Sequence, residues 1–287
     1  LNVSSLSTRE ARIKAALDSI RSSCDTLARR KADPVDFAHA YENASDRELV
    51  ALVAACVAFG NVKAIHAKMA DLAERLGPNP ARFAECPSEV RARLRGWRHR
   101  VFRGQDVAAL LVGARRVQRA HGSLGALFEA EFERTGSLRE ALASLCDAIR
   151  RAGRLRRGGA RRGPSHLLPD PRGPSSSKRL LLFLRWMIRA ADGVDLGLWH
   201  VDPAALVVPL DVHIRKLSFN LGFTQRKAPS WRAAEEITRA LSRFDASDPT
   251  KYDFSLCHMG MLQRCPSRRD PARCRGCGIK RVCIHWE

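Results

Sequence analysis

The chain has 287 residues, 45% of them hydrophobic, which is enough for one large or two small domains with cores of their own. It carries 50 Lys and Arg against 30 Asp and Glu, and the resulting formal charge of +20 points to a polyanionic partner, nucleic acid before an anionic membrane. Alternating β-branched runs are almost absent and no stretch has the length and apolarity of a bilayer span, so a β-rich fold and a membrane-spanning chain are excluded.

Ala, Leu and Arg dominate, and nearly all of the chain is predicted as helix. Residues 6–31 form the first predicted helix, which ends on Arg29-Arg30-Lys31 and is broken by Asp33-Pro34; a short piece begins at Asp36-Phe37. Ser45-Asp46-Arg47-Glu48 has the early acids of a helix start, and Leu49 to Phe59 is apolar nearly all round, which predicts a central buried helix. Gly60-Asn61 ends it, and Val62 to Leu76 is the next helix, stopped by Gly77-Pro78. Between Arg91 and Arg103 stand six arginines with Trp97 and Phe102 and no acid. Such a run reads either as a solvated face or as a phosphate-contacting surface, for which Arg98 and Arg100 are the candidates.

Helices are expected near 105–121, 123–134 and 137–152, separated by Gly122 and Gly136. From Arg150 to Arg179 there are ten basic residues and one acid, Asp170, with frequent Gly and Pro. Residues 153–164 read as a disordered basic linker. Arg161 and Arg162 within it, and Arg172 and Arg179 beyond it, are candidate phosphate contacts, since a basic segment beside a duplex gains from counterion release. A further helix, apolar on most sides, runs from Lys178 to Ile188, and two more lie near 231–243 and 248–263.

Two stretches carry chemistry. In Leu206 to Gly222, Pro209 ends an extended segment and Asp211 stands where an N-cap is needed, able to accept the first free backbone N–H groups of a helix. Val212, Leu217 and Leu221 are predicted to share its inward face, with Gly222 as the stop. In the tail, Cys265, Cys274, Cys277 and Cys283 follow the spacing C-x8-C-x2-C-x5-C. Four thiolates in a segment too short for its own core need a metal to fix them, and the spacing admits a tetrahedral zinc or an iron–sulfur cluster. Cys257 is predicted to face the core rather than the metal, and Cys24, Cys56, Cys86 and Cys146 are expected to be small buried hydrophobes.

Together these stretches resemble the helix-hairpin-helix DNA glycosylases (HhH-GPD), the superfamily of endonuclease III and the 8-oxoguanine glycosylases. Val208-Pro209-Leu210-Asp211-Val212-His213 is similar to the segment that holds the family's catalytic Asp, which implies that role for Asp211. Leu256-Cys257-His258-Met259-Gly260 through Cys283 resembles the endonuclease III cluster loop, whose gaps are x6, x2 and x5, and this implies a [4Fe–4S] cluster on the four cysteines, with zinc as the alternative. The likeness covers roughly 46–283. The hairpin departs from the family: Leu168-Pro169-Asp170-Pro171-Arg172-Gly173-Pro174 through Lys178 is longer and lacks the second hairpin Gly. The wider Lys178–Asp211 spacing is similar to the archaeal 8-oxoguanine branch, which implies Lys178 as nucleophile; a phosphate-binding or surface Lys at a helix start is the other reading.

The resemblance implies an all-α fold of two helical lobes with a DNA cleft between them, one spanning 46–200 and the other pairing 1–45 with 201–287. Phe59 and Asn61, around Gly60, would form the wedge that fills the vacated place in the base stack. The implied partner is double-stranded DNA carrying a damaged base, an oxidised purine in the 8-oxoguanine branch, bound by a monomeric, cytoplasmic and nucleoid-associated enzyme with no membrane contact. The activity implied is base release, with AP-lyase cleavage if Lys178 is the nucleophile. Two readings compete with it: an inactive DNA-binding module with a structural metal, and a zinc-dependent RNA-binding protein, which leaves the Asp211 stretch without a role.

Overall fold

The protein is described by a computed structural model that covers residues 6–156 and 161–286. It is 59% helix and 1% strand, with 15 α-helices among the described residues. In chain order these are α1 (Thr8–Ser22), α2 (Thr26–Arg30), α3 (Asp36–His39), α4 (Ala44–Val57), α5 (Val62–Leu76), α6 (Pro80–Phe83) and α7 (Pro87–Arg93). A hairpin of β1 (Arg98–His99) and β2 (Phe102–Arg103) follows, then α8 (Gly104–His121), α9 (Leu124–Thr135), α10 (Leu138–Gly153), α11 (Gly163–Leu167) and α12 (Lys178–Ile188). The last three helices are α13 (Val212–Asn220), α14 (Trp231–Leu241) and α15 (Asp253–Gln263). Among the described residues no helix is long and apolar enough to cross a membrane.

The chain divides into two compact units, a terminal one of Leu1–Arg29, Pro174–Leu181 and Asp202–Glu287, and a central one of Arg30–Gly173 and Leu182–Val201. The boundaries differ from the expected ones at residues 30–45, 174–181 and Val201. Residues 30–45 belong to the central unit because α3 packs on α4, and residues 174–181 belong to the terminal unit.

The central unit is built around α4, whose residues from Glu48 to Val57 are all buried, as a helix apolar on every side requires. Helices α8 and α10 cross at backbone contact. A Cβ on Gly113 would lie 2.3 Å from the Ile149 carbonyl oxygen, and one on Gly153 would lie 2.0 Å from that of Ala109, so no larger residue fits either place. The buried Glu48 carboxylate accepts the first two backbone N–H groups of α9, Leu124 at 3.0 Å and Gly125 at 3.1 Å, together with Gln118 Nε2 at 2.8 Å and Trp199 Nε1 at 2.6 Å. A buried charge is tolerable there because both oxygens are fully hydrogen-bonded at a helix N-terminus.

The terminal unit packs α1, α13, α14 and α15 around Leu17, Ile214, Leu217, Leu221, Ile237 and Leu256, with Ile279 and Val282 of the cysteine tail in the same core. Gly278 of the tail lies so close to α1 that a Cβ there would be 2.7 Å from Ile20. Arg12 Nη2 also donates to the Arg281 carbonyl at 2.7 Å. The tail is therefore held by side chains nearly the whole chain length away.

Several expectations need correction. The first predicted helix is two, because Ser23 caps α1 and Cys24-Asp25 separates it from α2. Val212 is 60% exposed; the inward face of α13 is Ile214, Leu217 and Leu221, the correct i, i+3, i+7 stripe once Asp211 sets the helix phase. Cys56 and Cys146 are buried, but Cys86 is exposed and Cys24 only partly covered. The basic linker is structured where it is described: Arg154 closes α10 in the left-handed region, Leu155 is buried and α11 starts at Gly163. Residues 157–160 of that linker lie outside the described residues.

Candidate active site and cysteine tail

Asp211 is the N-cap of α13. Its backbone is extended, and Oδ1 accepts the backbone N–H groups of His213 at 2.8 Å and Ile214 at 2.7 Å. This is the local consequence of an Asx side chain after Pro209-Leu210, where the chain is still extended and two helical N–H groups lack partners. The other oxygen, Oδ2, accepts from the Cys257 thiol at 3.1 Å.

Cys257 lies on α15, which packs against α13. Burial raises the pKa of its thiol well above the ordinary value, and the negative charges of Asp211 and Asp253 add to the rise, while Lys178 opposes it. Lys178, Asp211 and Asp253, whose charges act on this thiol, all belong to the terminal unit. Lys178 opens α12 and is partly buried. Ser177, just before it, is buried with φ of +50°, and its hydroxyl has no hydrogen-bond partner among the described residues. Ser176 Oγ donates to the Leu210 carbonyl at 3.4 Å, which ties the residues before Lys178 to those before Asp211.

In the tail, the Cys277 thiol has a raised pKa, from burial first and then from the neighbouring Cys265, Cys274 and Cys283, while the Ile279 backbone N–H opposes the rise. Cys274 and Cys283 are buried. The Asn220 side chain, 1% exposed at the end of α13, donates from Nδ2 to Cys265 Sγ at 3.1 Å, and its Oδ1 has no partner among the described residues. Ile284 N–H donates to the Asn220 carbonyl at 2.9 Å, so α13 runs from Asp211 at one end to the cysteine tail at the other. Among the described residues no three His, Cys, Asp or Glu side chains stand close enough to form a metal-binding group. The Arg269 guanidinium and the Lys280 ammonium lie over the Trp286 ring at 4.7 and 4.4 Å.

The sequence-predicted phosphate contacts divide. In the central unit Phe59, in the loop after α4, is met by Arg100 of the β1–β2 hairpin and by His166 of α11. Arg100 holds φ of +51° at the hairpin turn and lays its guanidinium 4.8 Å from the Phe59 ring centre. His99 bonds the Phe59 carbonyl at 3.1 Å, and His166 of α11 meets the Phe59 ring edge-on at 4.6 Å. Burial lowers the pKa of His99, with the positive charges of Arg100 and Lys68 adding to the effect of burial. Arg98, Arg100 and Arg162 are exposed. Asn61 is the N-cap of α5, its Oδ1 accepting from Lys63 at 2.9 Å and Ala64 at 3.4 Å, so its side chain already has a structural task.

Arg161 and Arg172 do not have free charges. Arg161 pairs with the buried Asp106, which also accepts the Arg103 backbone N–H at 2.9 Å. Arg172 pairs with Asp147 and with Asp170, at 2.5 and 3.0 Å, and the two carboxylates raise its pKa further. Arg179 lies in the first turn of α12, partly buried. Cys257 packs against the core as the sequence predicts, but its bond to Asp211 was not foreseen. Its one visible signal was Gly260 a turn later on the same helix face, the mark of a close helix crossing.

Residues 33–262 match the family described as "Protein of unknown function (DUF2400)". No curated protein matches the chain, and no solved structure does.

Proposed function

The chain belongs to the DUF2400 family of proteins of unknown function, and from that premise we propose that it is a DNA glycosylase of helix-hairpin-helix type that releases a damaged base from duplex DNA. The observation that carries the proposal is Asp211, a partly exposed N-cap carboxylate with hydrogen-bond donors on both oxygens, folded into the same unit as Lys178. In this reading the central and terminal units are the family's two lobes.

The glycosidic carbon is inaccessible inside a duplex, so the nucleotide must first leave the stack. As the C1′–N bond breaks, its electron pair departs with the base and positive charge develops on the sugar. A fixed carboxylate beside it lowers that barrier. The Lys178 amine then attacks C1′, the resulting imine permits elimination of the 3′ phosphate, and the strand is cut. Cys265, Cys274, Cys277 and Cys283 would hold a [4Fe–4S] cluster, or zinc in its place. The support is the donor chemistry and not a preassembled cage: four cysteines of one tail, with a buried amide N–H donated to the Cys265 sulfur, while among the described residues no three of the ligand side chains stand together. The group supplies no step of the hydrolysis and acts through the fold.

The exposed arginines Arg98, Arg100 and Arg162 are the proposed phosphate contacts. Duplex binding is expected to weaken steeply with salt, and Arg98→Ala/Arg100→Ala/Arg162→Ala is expected to reduce the slope of log K against log salt by about 2 to 3. The same change at Arg161 and Arg172 is expected to reduce it less, since carboxylates already neutralise both. An unchanged slope in the triple variant would remove the hairpin from the interface.

The reading is tested with a panel of duplexes, each carrying one damaged base. The expected result is release of a free base from at least one of them, with borohydride trapping a covalent protein–DNA adduct through the reduced imine. Lys178→Gln is expected to abolish trapping and leave DNA binding largely intact. Base release without trapping would make water the nucleophile and Lys178 a phosphate contact. Binding with no release from any duplex would leave an inactive DNA-binding module.

A further inference from the structure

The Asp211 carboxylate is held differently at its two oxygens. Oδ1 takes two backbone N–H groups and is engaged in capping α13. Oδ2 takes only the Cys257 thiol among the described hydrogen bonds, at 3.1 Å. The contact depends on close packing of α13 and α15. A Cβ added to Gly260 would stand 2.9 Å from the His213 Cβ and 3.2 Å from Leu217 Cδ1, and that crossing carries Cys257, one turn earlier on α15, against the first turn of α13.

We infer that Cys257 is the positioning residue for Asp211: its S–H donates to Oδ2 and fixes the plane of the carboxylate. The inference rests on the glycosylase reading of Asp211. A carboxylate that faces developing positive charge must be ordered without losing its own charge. An Arg or Lys partner would order and neutralise it together. A thiol is a neutral, weak donor, so it sets the orientation and leaves the negative charge on the oxygen. The groups around the thiol keep it in the donor form: Asp211 from α13 and Asp253 from α15 both oppose its ionisation, and Lys178 from α12 favours it. Cys257 also packs against the apolar core of the terminal unit, and this fixes its rotamer as a support for Asp211 must be fixed.

The pair is read directly by the S–H stretching band of Cys257, isolated as the infrared difference between the wild-type protein and Cys257→Ala. The band is expected at the low frequency of a thiol bonded to a carboxylate, and it is expected to move up in Asp211→Asn, where the charged acceptor is gone. Base release supplies the second arm. Cys257→Ser keeps a donor and is expected to retain the single-turnover rate within about threefold, whereas Cys257→Ala loses about tenfold with DNA binding unchanged. A band that does not move in Asp211→Asn overturns the inference, and so does a Cys257→Ala protein as fast as wild type. If no duplex yields a free base, the glycosylase reading has failed, and the infrared band by itself still decides whether Cys257 holds Asp211.

Discussion

Asp211→Asn is expected to leave the protein folded and to slow base release by a factor on the order of 10² to 10³. The two halves of this result have separate causes. Asn is as good an N-cap as Asp, and its side-chain oxygen can keep the bonds from His213 and Ile214, so α13 and the core residues Ile214, Leu217 and Leu221 should stay in place. What is lost is the negative charge opposite the sugar as the glycosidic bond breaks. Capping is a local dipole interaction that a neutral amide satisfies, whereas stabilising a developing cation requires charge. Single-turnover base release beside a thermal melt separates the two. Full activity in Asp211→Asn would falsify the glycosylase mechanism, and a collapsed melting curve would show that the carboxylate serves the fold more than the chemistry.

Cys274→Ser is expected to take the metal content from stoichiometric to near zero and to lower the stability of the terminal unit by several kcal/mol. Cys274 and Cys283 are buried, and Cys265 and Cys277 pack against the same core as α1, α13 and α15. The tail also contributes Ile279 and Val282 to that core, so loosening the cysteines exposes apolar groups that α1 and α13 depend on. Metal binding selects the folded tail, and its free energy appears as folding free energy. Iron, sulfide and zinc analysis of anaerobically purified protein, with melts of wild type and variant, checks this. Stoichiometric zinc without iron or sulfide would replace the cluster with a zinc site. Wild-type protein with neither metal would end the metal assignment.

Where physics is local, it was legible in the residues. Val62–Leu76 could be bounded because Asn61 caps it and Gly77-Pro78 stops it, and Asp211 was recognisable as an N-cap because capping acts over three residues. The burial of α4 followed from an apolar run with no polar face, and the tail was marked by cysteine spacing alone. Tertiary structure decided the rest. Which arginines are available was hidden, since the carboxylates that neutralise Arg161 and Arg172 include Asp106 and Asp147, far from them in sequence. The arginine-rich run became a two-strand hairpin because Arg100 takes a left-handed turn over Phe59, a ring contributed by another loop. The thiol beside Asp211 comes from a helix some 46 positions later, placed by the missing side chain of Gly260. Spacing along a chain records helix phase, caps and paired cysteines. It carries no record of which surfaces meet, because that depends on the combined packing of the α1, α13, α14 and α15 side chains in one core.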